Sequence, residues 1–487
     1  MIRYRLASLL AAMLMLPLPR GLASVVDSVK FGSFGKVVIY RPAGHVKAVV
    51  LFVSGDGGWN LGVVDMARDF VAQGALVAGI DILSYYRGLK QSTSDCFYPA
   101  GDFEELSIML QKKYQLEQYH KPILVGYSSG ATLVYGILAQ APASTFKGAI
   151  SLGFCPDLEI SKPLCAGDGL KLHPIKEGHS YYLEASASLT APFIALHGEQ
   201  DQVCPLQATR EYMKGVNTGQ LIELPRVGHG FSVASAWLPQ FIDAFNRVLN
   251  YPEFTGQKPV RDTLPATSET APFPGDFPIF PIPSAVRDNL PMAFLISGDG
   301  GWTDFDFGIG KWLSDKGIPV IGLDAQKYFW KHKTPDETAS AVAKAVQYFM
   351  KPWKRTKFIL VGYSFGACVV PFIATHLTGD LKGALSGIYC ISPDLTVDFE
   401  IHLIDMMGIR RAADSFQVID EINHIRTIDK VCIFGESEDP GLRKKFAATG
   451  ARIVTTPGSH HYNGKPSVPA GAVFKEVMNS ISHPDIK

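Results

Sequence analysis

The chain has 487 residues, 47% of them apolar and 19% charged, and its 46 basic and 46 acidic side chains leave no formal net charge. That length allows two to four domains, each large enough for its own core. The neutral balance removes the electrostatic case for nucleic-acid binding, while leaving room for a local charged pocket.

Residues 1–23 read as a secretory signal. Arg3 and Arg5 give a basic start, and Leu6 to Leu18 is apolar but interrupted by Pro17. It is too short for the roughly 20 residues a bilayer requires. Gly21-Leu22-Ala23 offers small residues at a cleavage point before Ser24. An uncleaved anchor is the alternative, and no later segment is long and apolar enough to cross a membrane. The expectation is an exported protein.

Short β-branched runs alternate with helical stretches from there on. Ala48 to Val53, Ala75 to Ile80, Pro122 to Val125, Ala149 to Leu152 and Pro192 to Leu196 read as strands, with a helix over Ala131 to Ala139. A segment dense in Pro, Thr and Ser follows, within which Phe277 to Ile282 can form an edge strand. The second half then offers strands at Met292 to Ile296, Pro319 to Leu323, Lys357 to Val361, Ala384 to Ile391 and Lys430 to Phe434, and a helix at Ala367 to Thr375. Near-continuous apolar strands separated by helices predict an α/β fold with mostly parallel sheets covered on both faces. The expected domains are residues 24–253 and 275–487, joined by a linker over 254–274.

The two halves share motifs. Ser54-Gly55-Asp56-Gly57-Gly58-Trp59 recurs as Ser297-Gly298-Asp299-Gly300-Gly301-Trp302, and Gly126-Tyr127-Ser128-Ser129-Gly130-Ala131 as Gly362-Tyr363-Ser364-Phe365-Gly366-Ala367. Both recur in the same order at nearly one offset, far longer than the period of a solenoid. The chain therefore reads as two copies of one catalytic-type domain.

Gly-x-Ser-x-Gly between a strand and a helix is a nucleophile elbow, which makes Ser128 and Ser364 the candidate nucleophiles. Each needs a base and an orienting acid, expected in the order Ser, acid, His. The first half offers Asp201 after Phe193 to Leu196, and His229 in Gly228-His229-Gly230. In the second, Asp439 is the preferred acid with Glu438 its rival, and His460 the base with His461 its rival. The oxyanion donors are expected at the backbone N–H groups of Ser129 and Phe365, after the nucleophiles, and of Asp56 and Asp299 in the Gly-rich loops. Trp59 and Trp302 can pin those loops by packing. An Asp in an oxyanion loop either braces it or holds a cationic substrate group.

Of seven cysteines, Cys96, Cys155, Cys165 and Cys204 lie in loop-like or strand-end positions and can pair, whereas Cys368, Cys390 and Cys432 sit in apolar patterns as buried thiols. No Cys and His spacing suggests a metal site, and no cofactor is expected.

These motifs, with Lys327-Tyr328-Phe329-Trp330, Lys333-Thr334-Pro335-Asp336 and Gly458-Ser459-His460-His461-Tyr462, resemble the AcvB/VirJ family of exported bacterial virulence proteins within the α/β-hydrolase superfamily. The second half carries the closer likeness, and the whole chain looks like the longer AcvB type. The resemblance implies two tandem α/β-hydrolase domains and a periplasmic serine hydrolase releasing lysine from lysyl-phosphatidylglycerol. It also implies contact with a membrane surface and a secretion-system partner. Asp299, Asp304, Asp306 or Asp324 would then meet the substrate amines. Phe305, Phe307, Phe329 and Trp330 would offer an apolar approach, although a core role is common for such aromatics, and Trp302 is expected to bind substrate with Asp324, Phe329 and Trp330. Another carboxylesterase, lipase or peptidase, and a non-catalytic envelope adaptor, are the competing readings.

Overall fold

The computed structural model describes residues 25–167, 169–252, 273, 277–286, 289–401 and 415–482. The expected signal and nearly all of the expected linker lie outside them.

Two sheets account for the architecture. The first has eight strands in the order Val25–Phe31, Gly35–Arg41, Ala75–Ile80, Ala48–Val53, Ile123–Tyr127, Gly148–Leu152, Phe193–Gly198 and Gly219–Leu224. Its first two strands are antiparallel and the rest parallel. The second has seven, in the order Ile279–Ile282, Val320–Leu323, Met292–Ile296, Phe358–Tyr363, Leu385–Ile391, Asp429–Gly435 and Arg452–Thr456. Its first strand is the antiparallel edge and the others run parallel.

Burial on both faces explains the unbroken apolar strands. All of Ala48–Val53 is buried. Val49, Leu51 and Val53 pack with Phe103, Leu106 and Leu133 from the helices Pro99–Lys113 and Ser129–Gln140. Val50 and Phe52 face the opposite core with Phe70 of Leu61–Ala72 and Phe241 of Leu238–Leu249. In the second sheet, Phe294 and Leu360 meet Val346 and Val369 on one face, while Leu295 and Val361 meet Leu313 and Val473 on the other. Fully burying such a side chain stabilises by about 1.5–3 kcal/mol. Both halves thus have the α/β-hydrolase fold.

The helix Pro99–Lys113 also docks against the second half. Glu104, Ile108 and Lys112 recur every fourth residue and share one stripe. Lys112 Nζ pairs with Glu400 at 2.8 Å and lies 4.4 Å from the centre of the Trp330 ring. The Trp330 Nε1–H donates to the Leu116 carbonyl at 3.0 Å, and Ile108, Tyr119 and Trp330 form a small buried cluster.

Candidate active site

Each Ser-x-Gly turn is tight because the strand hands over directly to the helix. Ser128 and Ser364 have φ of 55° and 52°, a left-handed backbone that lifts the hydroxyl above the sheet. Side chains are excluded around them. A Cβ on Gly126 would stand 2.1 Å from the Gly130 carbonyl oxygen, and one on Gly362 2.2 Å from that of Gly366.

In the first domain, the Ser128 Oγ lies 2.9 Å from His229 Nε2, and His229 Nδ1 lies 2.7 Å from Asp201 Oδ2. The other Asp201 oxygen accepts the N–H groups of Val203 and Cys204, each at 2.9 Å. Cys204 is disulfide-bonded to Cys155, so the acid loop is tied to the segment after Gly148–Leu152. A second disulfide joins Cys96 and Cys165, and Cys368, Cys390 and Cys432 are buried thiols.

In the second domain, Ser364 Oγ lies 3.0 Å from His460 Nε2. The acid opposite His460 Nδ1 is Glu438, at 3.2 Å, and the preference for Asp439 is corrected. Asp439 is spent at the start of Pro440–Ala447, where its side chain accepts the Gly441 N–H at 2.8 Å. Local register decides between them. Glu438 sits where its other oxygen accepts from the Gly435 N–H at 2.6 Å and from Ser392 Oγ at 2.8 Å, and one residue later the side chain faces the helix instead. Burial opposes charge on Glu438, but the hydrogen bonds from His460, Gly435 and Ser392 outweigh it and hold its carboxyl below the ordinary range. His461 does not reach Ser364; its Nδ1 pairs with the Tyr363 hydroxyl at 2.9 Å.

Ser129 and Phe365 open their helices, so their backbone N–H groups are among those a helix leaves without an internal partner. The Gly-rich loops lie against the nucleophiles. A Cβ on Gly55 would be 3.0 Å from Ser128 Cβ, and one on Gly298 3.7 Å from Ser364 Cβ. This brings the loops bearing Asp56 and Asp299 to the same mouths as Ser129 and Phe365.

Four residues expected to bind substrate do other work. Trp302 is buried flat over Gly322, where a Cβ would meet its ring at 2.0 Å, and Trp59 covers Gly79 in the same way. Asp324 caps Ala325–Tyr328 by accepting the Lys327 N–H at 3.0 Å and braces the oxyanion loop, since a Cβ on Gly301 would meet its Oδ1 at 2.9 Å. Phe329 is fully buried behind Phe365, ring centres 5.1 Å apart. Trp330 belongs to the domain contact. Asp306 is likewise buried, in a capping box with Thr303.

The carboxylates of the two oxyanion loops differ. Asp56 accepts the Ser129 hydroxyl at 2.5 Å. In the second repeat Phe365 replaces that serine, and Asp299 makes no ion pair or hydrogen bond with a described residue. Glu104, on the docking stripe of the first domain, lies within electrostatic reach of Asp299. Burial and the Asp299 charge push its carboxyl up to about 8. The sequence showed the Ser129-to-Phe365 difference without its consequence, and Glu104 carried no signal because only domain docking brings it there.

Among the described residues, no group of three or more His, Cys, Asp or Glu side chains is placed to hold a metal ion, and no helix is long and apolar enough to cross a membrane.

Solved structures similar to this chain include Est1E from Butyrivibrio proteoclasticus, at 12% identity over 46% of this chain and 98% of that one, TM-score 0.31. A dienelactone hydrolase from Anabaena variabilis is 16% identical over 47% of this chain and 97% of its own, TM-score 0.33. An alpha-beta serine hydrolase homologue from Coxiella burnetii is 15% identical over 48% and 98%, TM-score 0.29. No curated protein compared with the chain matches it. The family model described as bacterial virulence protein (VirJ) matches residues 47–152 and 291–482, the second stretch enclosing Ser364, Glu438 and His460. Those stretches make up more than half of the chain, which therefore belongs to the VirJ family.

Proposed function

We propose that the chain is a periplasmic hydrolase of aminoacyl esters carried on phospholipid, with lysyl-phosphatidylglycerol as the substrate that fits best, acting through Ser364 in the second domain. The observation that carries this reading is the Asp299 carboxylate, which no described residue pairs, on the loop beside a Ser364–His460–Glu438 relay. A carboxylate next to an oxyanion site repels the charge that develops there unless a cation accompanies the substrate. An ammonium on the acyl group supplies that cation, and Glu104 can give up its proton to join the contact.

Ser364 Oγ attacks the ester carbonyl while His460 Nε2 takes its proton, and Glu438 holds the imidazole in the tautomer that can accept it. The N–H groups of Phe365 and Asp299 receive the oxyanion. His460 then protonates the departing glycerol oxygen, and water releases the amino acid from Ser364 by the same steps in reverse. Two disulfides support an oxidising compartment. For the first domain, whose Asp56 is satisfied by Ser129, a carboxylesterase acting on an ester without an ammonium is the second reading.

Lysine release from lysyl-phosphatidylglycerol vesicles tests the proposal. Ser364→Ala should abolish it with the fold unchanged. Asp299→Asn should lower kcat/KM for the lysyl ester by roughly 10- to 150-fold, the worth of a charged hydrogen bond, and far less for an acetyl ester of similar size. Activity that survives Ser364→Ala and is lost in Ser128→Ala would assign the reaction to the first domain.

A further inference from the structure

The stretch Lys327 to Asp336 sets the second repeat apart from the first, yet the catalytic relay uses none of it. The structure puts it between the domains. With Trp330 docked on the first domain, Lys327, Tyr328 and Lys333 line a cavity of about 400 Å³ whose other walls include Phe277 and, from the first domain, Tyr119.

The walls have a definite chemistry. The Phe277 and Tyr328 rings meet edge to face at 5.1 Å and leave an aromatic floor. Lys333 is fixed through its backbone, whose N–H donates to the Phe399 carbonyl at 2.8 Å, and its ammonium lies 5.4 Å from the centre of the Tyr328 ring. It forms no ion pair with a described residue. Lys327 reaches back to Asp324 at 3.8 Å, and Asp324 in turn braces the oxyanion loop at Gly301. The Tyr119 hydroxyl is buried without a hydrogen bond of ordinary length, with Ser107 as its polar neighbour. Two ammonium groups over an aromatic floor, one loop away from Ser364, form a receptor for an anion.

We propose that this interdomain cavity is a subsite for a phosphate group, held by Lys333 and Lys327 of the second domain, with Tyr119 of the first domain as one of its walls. The inference rests on the reading of Ser364 as an aminoacyl-phospholipid hydrolase and adds to it how the chain grips the headgroup. The substrate would then lie with its ammonium at Asp299, its ester at Ser364 and its phosphodiester between the domains. The first domain becomes part of the second domain's binding site.

The test separates the subsite from the reading beneath it. Calorimetric binding of glycerophosphoglycerol and of inorganic phosphate is measured on the full chain carrying Ser364→Ala, with and without Lys333→Gln. Binding of glycerophosphoglycerol that weakens about tenfold or more with Lys333→Gln, and returns with Lys333→Arg, supports the subsite. Inorganic phosphate binding equally well assigns it to any phosphate, and binding much more weakly assigns it to the lipid headgroup. Absent binding, or binding indifferent to Lys333→Gln, overturns the subsite. Separately, a soluble short-chain lysyl-phosphatidylglycerol and lysylglycerol are compared as substrates. Lys333→Gln should erase the wild-type preference for the phosphate-bearing ester through KM, and equal losses on both would overturn the proposal. If the wild-type chain hydrolyses neither ester, the aminoacyl-ester reading fails, and the binding result still decides the subsite.

Discussion

Replacing Glu438 with Gln isolates the acid of the second relay, and the hydrogen bonds around it determine the outcome. Two donors, the Gly435 N–H at 2.6 Å and Ser392 Oγ at 2.8 Å, converge on one Glu438 oxygen. In the glutamine variant the amide oxygen must take that place. Its NH2 then faces His460 Nδ1, which has to accept rather than donate. The proton moves to Nε2, and His460 can no longer take one from Ser364. Fixing the wrong tautomer in a Ser-His-acid relay costs about 10⁴ in kcat. Here the loss should be nearer 10³, because the His460 to Glu438 contact is 3.2 Å, longer than the 2.7–2.9 Å typical of a strong charged pair. Asp439→Asn should change kcat less than about twofold, since Asn caps a helix about as well as Asp. Initial rates on a chromogenic acetyl ester would measure both, in a Ser128→Ala background to silence the first domain. Circular dichroism would establish that both variants fold. If Glu438→Gln kept more than a tenth of the activity, or Asp439→Asn lost as much as Glu438→Gln, the assignment of Glu438 would be wrong.

Two further outcomes follow from the packing. Changing Cys155 and Cys204 together to Ser should destabilise the first domain by about 4 kcal/mol on the chain-entropy account. It should also slow fluorophosphonate labelling of Ser128 several-fold by loosening the loop that holds Asp201, while labelling of Ser364, read by peptide mass spectrometry, stays constant; equal slowing at both serines would refute the coupling. Burial, partly offset by hydrogen bonds from Thr303 and Gly298, pushes the Asp306 carboxyl up to about 7. The folded state then holds a proton that the unfolded state has released, so stability should fall as pH rises from about 4 to about 7, by a few kcal/mol at most. Melting curves of Asp306→Asn at either end of that window should show a flatter pH dependence than wild type; an unchanged slope would place the titration elsewhere.

The parts that could be read in advance are those whose physics is local. Ala48–Val53, Ala75–Ile80 and Met292–Ile296 lie where their apolar runs place them, and Ile279–Ile282 falls inside the expected edge segment, with Pro281 tolerated on the outermost strand. The hairpin Val25–Phe31 and Gly35–Arg41 was not expected. Its first strand is largely exposed and carries Asp27 and Lys30, so it lacks the apolar continuity that marks the parallel strands. Ser364 and His460 lie in motifs with rigid local geometry. Asp439 was preferred over Glu438 because both fit the loop after the strand, and only the direction of the first helical turn separates them. Phe329 and Trp330 look like an apolar approach surface in sequence, but are buried once Phe365 and the first domain pack on them. Glu104 and the interdomain cavity depend on how one domain rests on the other, which no local pattern encodes.

The two relays differ less in their reactive atoms than in the hydrogen bonds around them, and one position accounts for much of it. The residue after the nucleophile opens a helix and offers its N–H through the backbone, so its side chain can change without disturbing that donor. Ser129 turns its hydroxyl onto Asp56 and occupies the carboxylate within the loop. Phe365 has no side-chain donor, and its ring meets Phe329 edge to face instead, on the segment that continues to Trp330 and Lys333. The same substitution that leaves the Asp299 carboxylate available thus also supports the wall reaching to the first domain. Both halves keep serine, histidine and acid in contact. In the second half that position leaves Asp299 without a hydrogen bond or ion pair to a described residue, and the helix of the first half carries Glu104 to within electrostatic reach of it.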